Sequence, residues 1–196
     1  MYILFEGSDR SGKTSVIEYV EKKIYLPTVT LHTETLLGIN LSTLKGKVSD
    51  EVLYMLYWQS IREVDHLIKK LEDTNMLVLE DRGFVSNIVF STEFDIDPYF
   101  KVNMDNMYVN HCKKPDLILL FTLSYESFIR RSKDHEPLDE QFFNLITYNY
   151  NQQLILLRHL GFNIQEIDAN EPLEDVYKQV FEIVFDLINA KGVTNE

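Results

Sequence analysis

Cysteine is all but missing: Cys112 is the only one in 196 residues. A lone thiol closes no internal disulfide and builds no cysteine zinc cluster, which points to a reducing compartment. Histidine offers no substitute, because His32, His66, His111, His135 and His159 are scattered without the spacing of metal ligands. Glycine (7) and proline (5) are few. No linker rich in either, no internal repeat and no low-complexity tract divides the chain. One domain spanning residues 1–196 is therefore expected, long enough to bury a sizeable core.

Long apolar runs are also absent, and the N-terminus enters a strand-like segment without a basic leader. A cytoplasmic protein with no membrane partner is the expectation. Positive charge is in short supply, with 19 Lys+Arg against 31 Asp+Glu and a net charge of -12. Proteins that grip a nucleic-acid polymer usually show a basic face, so that partner is set aside. Small anions are still accessible, since a few placed cations and backbone N–H groups can override the global field.

What the chain does have is alternation. YILFE (2–6) reads as a buried strand and SGKTSVIEYVEKKI (11–24) as a helix. PTVTLHTE (27–34) is a second, β-branched strand. Residues 49–73 carry apolar residues at three- and four-residue spacing, an amphipathic helix with Ser49 as its cap. MLVLE (76–80), DLILLFTL (116–123) and FNIQEID (162–168) are three more strands, with helices near 83–92, before and after SKDHEP (the second over 138–159), and at 171–190. Short apolar strands separated by helices imply right-handed crossovers: an α/β fold, with a five-stranded parallel sheet flanked by helices on both faces. Ligands of such sheets bind at the carboxyl ends of the strands.

At the first of those ends lies Gly7-Ser8-Asp9-Arg10-Ser11-Gly12-Lys13-Thr14, a match to G-x-x-x-x-G-K-[ST], followed by Ser15. The glycines let the backbone curl into a nest of N–H groups facing phosphate, and the helix start adds its positive end. Lys13 is placed for the β- and γ-phosphates of ATP and the Thr14 hydroxyl for Mg²⁺. A strand before and a helix after the motif make this a P-loop nucleoside-triphosphate fold. A regulatory GTPase is excluded: the strand at 116–123 is followed by SYESFIRR rather than N-K-x-D, and EDRGF stands where D-x-x-G would fall.

FEGSDRSGKTS, LVLEDRGFVSNIVF, KPDLILLF and IDANEPLEDVYKQV, in that order, resemble the thymidylate kinase family, itself akin to the deoxynucleoside kinases. The likeness is weakest over 36–48 and 94–112. It implies transfer of the γ-phosphoryl group of ATP, with Mg²⁺, onto a deoxynucleoside monophosphate, dTMP to dTDP above all, by a homodimer. The long helix and the helix near 83–92 would supply the dimer's apolar surface. Through the resemblance, Asp9 takes the sugar hydroxyl of the acceptor and Arg10 reaches the transferring phosphoryl group. Asp81 is a Mg²⁺-linked carboxylate, and Arg82 binds the acceptor phosphate with Ser86 nearby. Trp58 stacks on the base, Arg62, four residues on, contacts the nucleotide, and Phe90 underlies the deoxyribose. FIRRSKDHEP resembles the family's lid (about 130–138), in which Arg130, Arg131 or Lys133 completes the site on closure.

Two departures stand out. Gly83 replaces the usual aromatic, which is expected to widen the sugar or phosphate pocket. The arginine that often accompanies Glu34 at the end of the second strand is missing. Glu34 therefore keeps an alternative open: a deoxynucleoside kinase in which it deprotonates the 5′-hydroxyl. A non-catalytic nucleotide-binding module is a third reading.

Overall fold

The structure, a computed structural model, describes residues 1–36, 38–72, 74–132 and 139–192. β1 (Tyr2–Gly7) leads through the phosphate loop into α1 (Lys13–Lys23), and β2 (Thr28–His32) follows. A small antiparallel hairpin, β3 (Thr35–Leu36) and β4 (Ile39–Asn40), and a 3₁₀ turn, Leu41–Leu44, precede the long α2 (Asp50–Leu71). Then come β5 (Leu77–Asp81), α3 (Phe84–Phe90), α4 (Pro98–His111), β6 (Leu117–Thr122), α5 (Tyr125–Arg130), α6 (Glu140–His159), β7 (Ile164–Asp168) and α7 (Leu173–Ala190). The main sheet has the order β2-β5-β1-β6-β7 and every pairing in it is parallel. The five strands read from the sequence are the five observed, each within one or two residues. Ser49 caps α2 as expected, its Oγ accepting from the Val52 N–H at 3.3 Å.

The period-2 alternation of β1 divides the core. Tyr2 and Leu4 face a cluster shared with α2, α3 and α6, whereas Ile3 and Phe5 face one shared with α1 and α7. At the carboxyl edge the same alternation plants acids. Glu6 and Glu80 follow Leu4 and Val78 on the α2–α3 side and are buried, at 0% and 2% exposure. Gly7 must be glycine: its φ is +132°, and a Cβ there would sit 2.3 Å from the Phe121 carbonyl oxygen.

Two expectations change here. Trp58 is in the core: it is fully buried, stacked on Tyr108 with centroids 4.1 Å apart and edge-on to Tyr54. The α3 helix offers no free face, because Phe84 through Val89 are all buried. Of the two helices expected to supply dimer surface, only α2 exposes apolar side chains, at Val52, Met55 and Leu67. At Gly83 a Cβ would meet Glu80 Oε2 and Leu4 Cδ1, both at 3.0 Å, below the loop. The space a side chain would take is thus held by a buried carboxyl, which accepts a hydrogen bond from the Tyr2 hydroxyl, while Gly83 itself walls a cavity between α2 and α3. Burial pushes that carboxyl up to about 8.

Trp58→Ala should cost about 3–5 kcal/mol in chemical denaturation, the cost of emptying a large aromatic site in a core. A variant of unchanged stability with a raised acceptor KM would put Trp58 on the cavity wall instead.

Candidate active site

The phosphate loop is closed over its own lysine. Lys13 Nζ donates to the Gly7 carbonyl at 2.9 Å, the Ser8 carbonyl at 2.7 Å and Ser11 Oγ at 3.1 Å. Burial, with the Arg82 charge near, lowers its pKa to about 7. Arg10 sits at the crest of the loop in the left-handed region (φ 63°). Its guanidinium lies 4.4 Å over the Phe128 ring and donates to Ser132 Oγ.

Thr14 Oγ1 donates to Asp81 Oδ2 at 2.7 Å, joining the start of α1 to the end of β5. His32 Nδ1 lies 4.0 Å from the same carboxylate oxygen. A cavity of about 360 Å³ opens above these groups, walled by Lys13, Thr14, Ser15, Asp81 and both residues of the Asp9-Arg10 insert. The two oxygens of the Thr14–Asp81 contact are hard ligands of the kind Mg²⁺ takes. Among the described residues no group of three or more His, Cys, Asp or Glu could cage a metal. An ion here would draw the rest of its shell from phosphate and water, as Mg²⁺ ordinarily does.

A second cavity, about 290 Å³, lies between α2 and α3. The two share Asp9, Glu34 and Arg82 as walls. Arg82 also has a left-handed backbone (φ 63°). It donates to Asp9, lies 3.5 Å from Glu34, reaches Ser86 Oγ at 3.4 Å and stands 5.2 Å over the Phe90 ring. Burial works against its charge, but Tyr150, Asp9, Glu6 and Glu34 outweigh that and keep the guanidinium protonated. Asp9 therefore pairs across the seam with Arg82, and the two cavities meet at that pair.

Beneath the seam, Glu6 Oε1 accepts from the Gly83 N–H (2.9 Å) and the Ser86 N–H (3.1 Å), and Oε2 accepts from the Ser86 hydroxyl. Burial raises the Glu6 pKa, and these donors work against the rise. The Tyr150 hydroxyl from α6 lies 2.9 Å from Ser86 Oγ and donates to the Gly7 carbonyl at 3.2 Å. The loop after β1 and the loop after β5 are thus one hydrogen-bonded unit.

Several predicted residues fall elsewhere. Arg62 lines a groove of about 780 Å³ beside α4, with His66, Met107 and His111, and is not among the walls of the second cavity, which shares Ile61 with that groove. One residue of helical phase decides this: Tyr57 and Ile61, each the residue before an expected contact, face the cavity. Arg130 turns back to Ser127 Oγ at 2.9 Å. Arg131 grips two backbone carbonyls, Arg10 at 3.0 Å and Ala169 at 2.6 Å, and so braces the phosphate loop instead of entering it. Lys133, His135 and the rest of the expected lid from 133 to 138 lie outside the described residues.

Sequence reasoning missed Glu6, Tyr57, Asn87 and Tyr150. Asn87 is 8% exposed, lines the second cavity, and its Nδ2 has no hydrogen-bond partner. Its signal was present, because Asn87, Phe90, Ser91 and Phe94 follow the three- and four-residue spacing of one helical face.

A parallel sheet in this strand order, a phosphate loop with its lysine and Thr–Asp pair, and an arginine-walled second cavity define a P-loop kinase. A sequence profile described as Thymidylate kinase matches residues 5–180, and the chain belongs to that family. It is 30% identical to the thymidylate kinase of Campylobacter concisus, over 92% of this chain and 96% of that protein. The thymidylate kinase of Aliarcobacter butzleri is 26% identical, over 97% of this chain and 100% of its own. A solved thymidylate kinase structure from Candida albicans superposes with a TM-score of 0.69 at 18% identity, covering 100% of this chain and 95% of that one, which establishes the fold.

With burial holding Lys13 near 7, a bound triphosphate should raise its pKa and draw in a proton. Calorimetry of ATP binding at pH 8 in buffers of different ionisation enthalpy should show proton uptake, with affinity falling as pH rises through 7–9. Binding without proton exchange would contradict the assignment.

Proposed function

We propose that the protein transfers the γ-phosphoryl group of ATP to dTMP, yielding dTDP and ADP. The observation that carries this reading is the meeting of the two cavities at Arg82. A donor in the phosphate loop and an acceptor against Arg82 approach each other there, and Arg82 is the buried cation an acceptor monophosphate needs.

In this reading the triphosphate displaces the Lys13 ammonium from the loop carbonyls, and Lys13, the loop N–H groups and Arg10 neutralise the charge that develops on transfer. The acceptor phosphate takes the guanidinium of Arg82, relieving Asp9 to bind the sugar hydroxyl. Ser86 and Phe90 border the sugar. Thr14 and Asp81 would hold Mg²⁺, whose contribution when bound is charge neutralisation on the β- and γ-oxygens. No general base is required, because a monophosphate is already anionic at neutral pH. Glu34 beside Arg82 then serves as a counter-ion, which disfavours the nucleoside-kinase alternative. Positioning and electrostatics carry the rate.

A cytoplasmic homodimer belongs to the same reading, with α2 as the face available to a second copy. No helix among the described residues is long and apolar enough to cross a membrane.

The test is ADP release from ATP and Mg²⁺ with dTMP and thymidine in parallel. Turnover with dTMP alone is expected, lost by about 10²–10³-fold or more in Lys13→Ala with the fold intact. Turnover with thymidine alone, collapsing in Glu34→Gln, would replace this reading with a nucleoside kinase. ATP binding without ADP from any acceptor would leave a non-catalytic module.

A further inference from the structure

The acceptor cavity is also walled by Leu53, Ile61 and Phe94, which can exclude water but cannot tell one base edge from another. Two of its hydroxyls are committed, Ser42 Oγ donating to Asn40 Oδ1 at 2.8 Å and Ser91 Oγ to the Ile88 carbonyl at 3.0 Å, while the amide of Asn87 on the same cavity keeps an unpartnered Nδ2. With Arg62 turned into the other groove, the cation lining this cavity besides Arg82 is Lys45, whose Nζ lies 3.1 Å from Glu93 Oε2.

Lys45 and Glu93 come from segments 48 residues apart and meet at the cavity. Lys45 follows the Leu41–Leu44 turn, which is anchored by buried Leu41 on Leu53 and by the Leu41 N–H donating to the Glu34 carbonyl at 2.9 Å. Glu93 ends the 3₁₀ turn Ser91–Glu93 that continues α3. The apolar contacts of Leu41, Leu53 and Phe94 already hold these segments together. An ion pair with its lysine side chain 66% exposed adds little to that.

We propose that Lys45, held in place by Glu93, reads the base: its ammonium donates to the exocyclic carbonyl oxygen of a 4-oxo pyrimidine, thymine or uracil, and disfavours the 4-amino group of cytosine. The inference rests on the phosphotransfer reading for its substrate class. An ammonium has three N–H donors, and Glu93 accepts one of them, leaving donors for a carbonyl. A 4-amino group presents donors to those donors. Sites that hydrogen-bond one substrate group reject the analogue lacking it more strongly than any apolar wall does.

Equilibrium binding of dTMP, dUMP and dCMP, measured by calorimetry without ATP, tests the contact independently of transfer, with melting curves to verify each fold. Lys45→Met should weaken dTMP and dUMP by about tenfold or more and shrink the dTMP-over-dCMP preference by a similar factor. Lys45→Arg should restore most of that preference. Unchanged dTMP affinity in Lys45→Met would overturn the proposal and leave a surface ion pair. Equal weakening of dCMP would also overturn it, making the pair a clamp on the cavity wall. A wild-type protein that binds dTMP through Lys45 yet transfers no phosphate would sink the phosphotransfer reading while this one stands. Absence of binding by all three nucleotides would sink both.

Discussion

The buried carboxylate of Glu6 is the contact on which the rest of the site depends. It sits one residue before the phosphate loop, at the edge of a strand buried along its whole length. Its two oxygens take up the orphan N–H groups at the start of α3 and the Ser86 hydroxyl, a task usually left to a capping side chain, and Gly83 supplies none. Buried donors without a partner would cost about 1–3 kcal/mol each, so the α3 start is pinned to β1. Arg82 and Asp81 immediately precede that start. The spacing between the phosphate loop and Arg82 is therefore set by one side chain and reinforced by Tyr150.

Around this fixed seam the charges balance locally although the chain as a whole is strongly acidic. Arg82 is flanked by Asp9 and Glu34 and lies in the field of Glu6, so in the proposed reaction an acceptor phosphate would meet a cation whose partners must partly yield to it. Lys13 and Arg10 likewise have protein partners of their own, the loop carbonyls for one and Phe128 with Ser132 for the other. In the proposed reaction each of these cations would exchange a neutral or internal partner for substrate oxygens. Such an exchange lowers ground-state affinity while saving orientation for the transfer itself.

Much of this was legible. Strands with uniform apolar runs, the Ser49 cap and the glycine-lysine loop were readable because local pattern and tertiary role agree there. The α4 helix was missed since Val102, Met104, Met107 and Val109 are spread around it and make no single stripe; its Asp97 cap followed by Pro98 was the better signal. Trp58 and Arg62 share a face, as spacing requires, yet spacing cannot say which neighbour that face meets. On a helix packed on two sides, a shift of one residue changes which wall a side chain joins: Tyr57 and Ile61 border the cavity, whereas Trp58 is in the core and Arg62 lies in the groove beside α4. At Gly83 the space a side chain would occupy is held by Glu80, three residues earlier, a contact that no spacing rule announces. Contacts such as Glu6 with Ser86, 80 residues apart, carry no local signature at all.

The central claim is that Glu6 sets donor and acceptor in register. The measurement that tests it is the single-turnover transfer rate from ATP to dTMP in Glu6→Gln, at saturating concentrations of both, beside a thermal melt. The amide oxygen still accepts from the Gly83 and Ser86 N–H groups, but an NH₂ replaces the acceptor of the Ser86 hydroxyl, so Ser86 and the Arg82 guanidinium beside it should shift. The account predicts a transfer rate reduced by about 10²-fold, as an ångström-scale misplacement of a reactant produces, with a melting temperature that moves little. A transfer rate equal to wild type would contradict it.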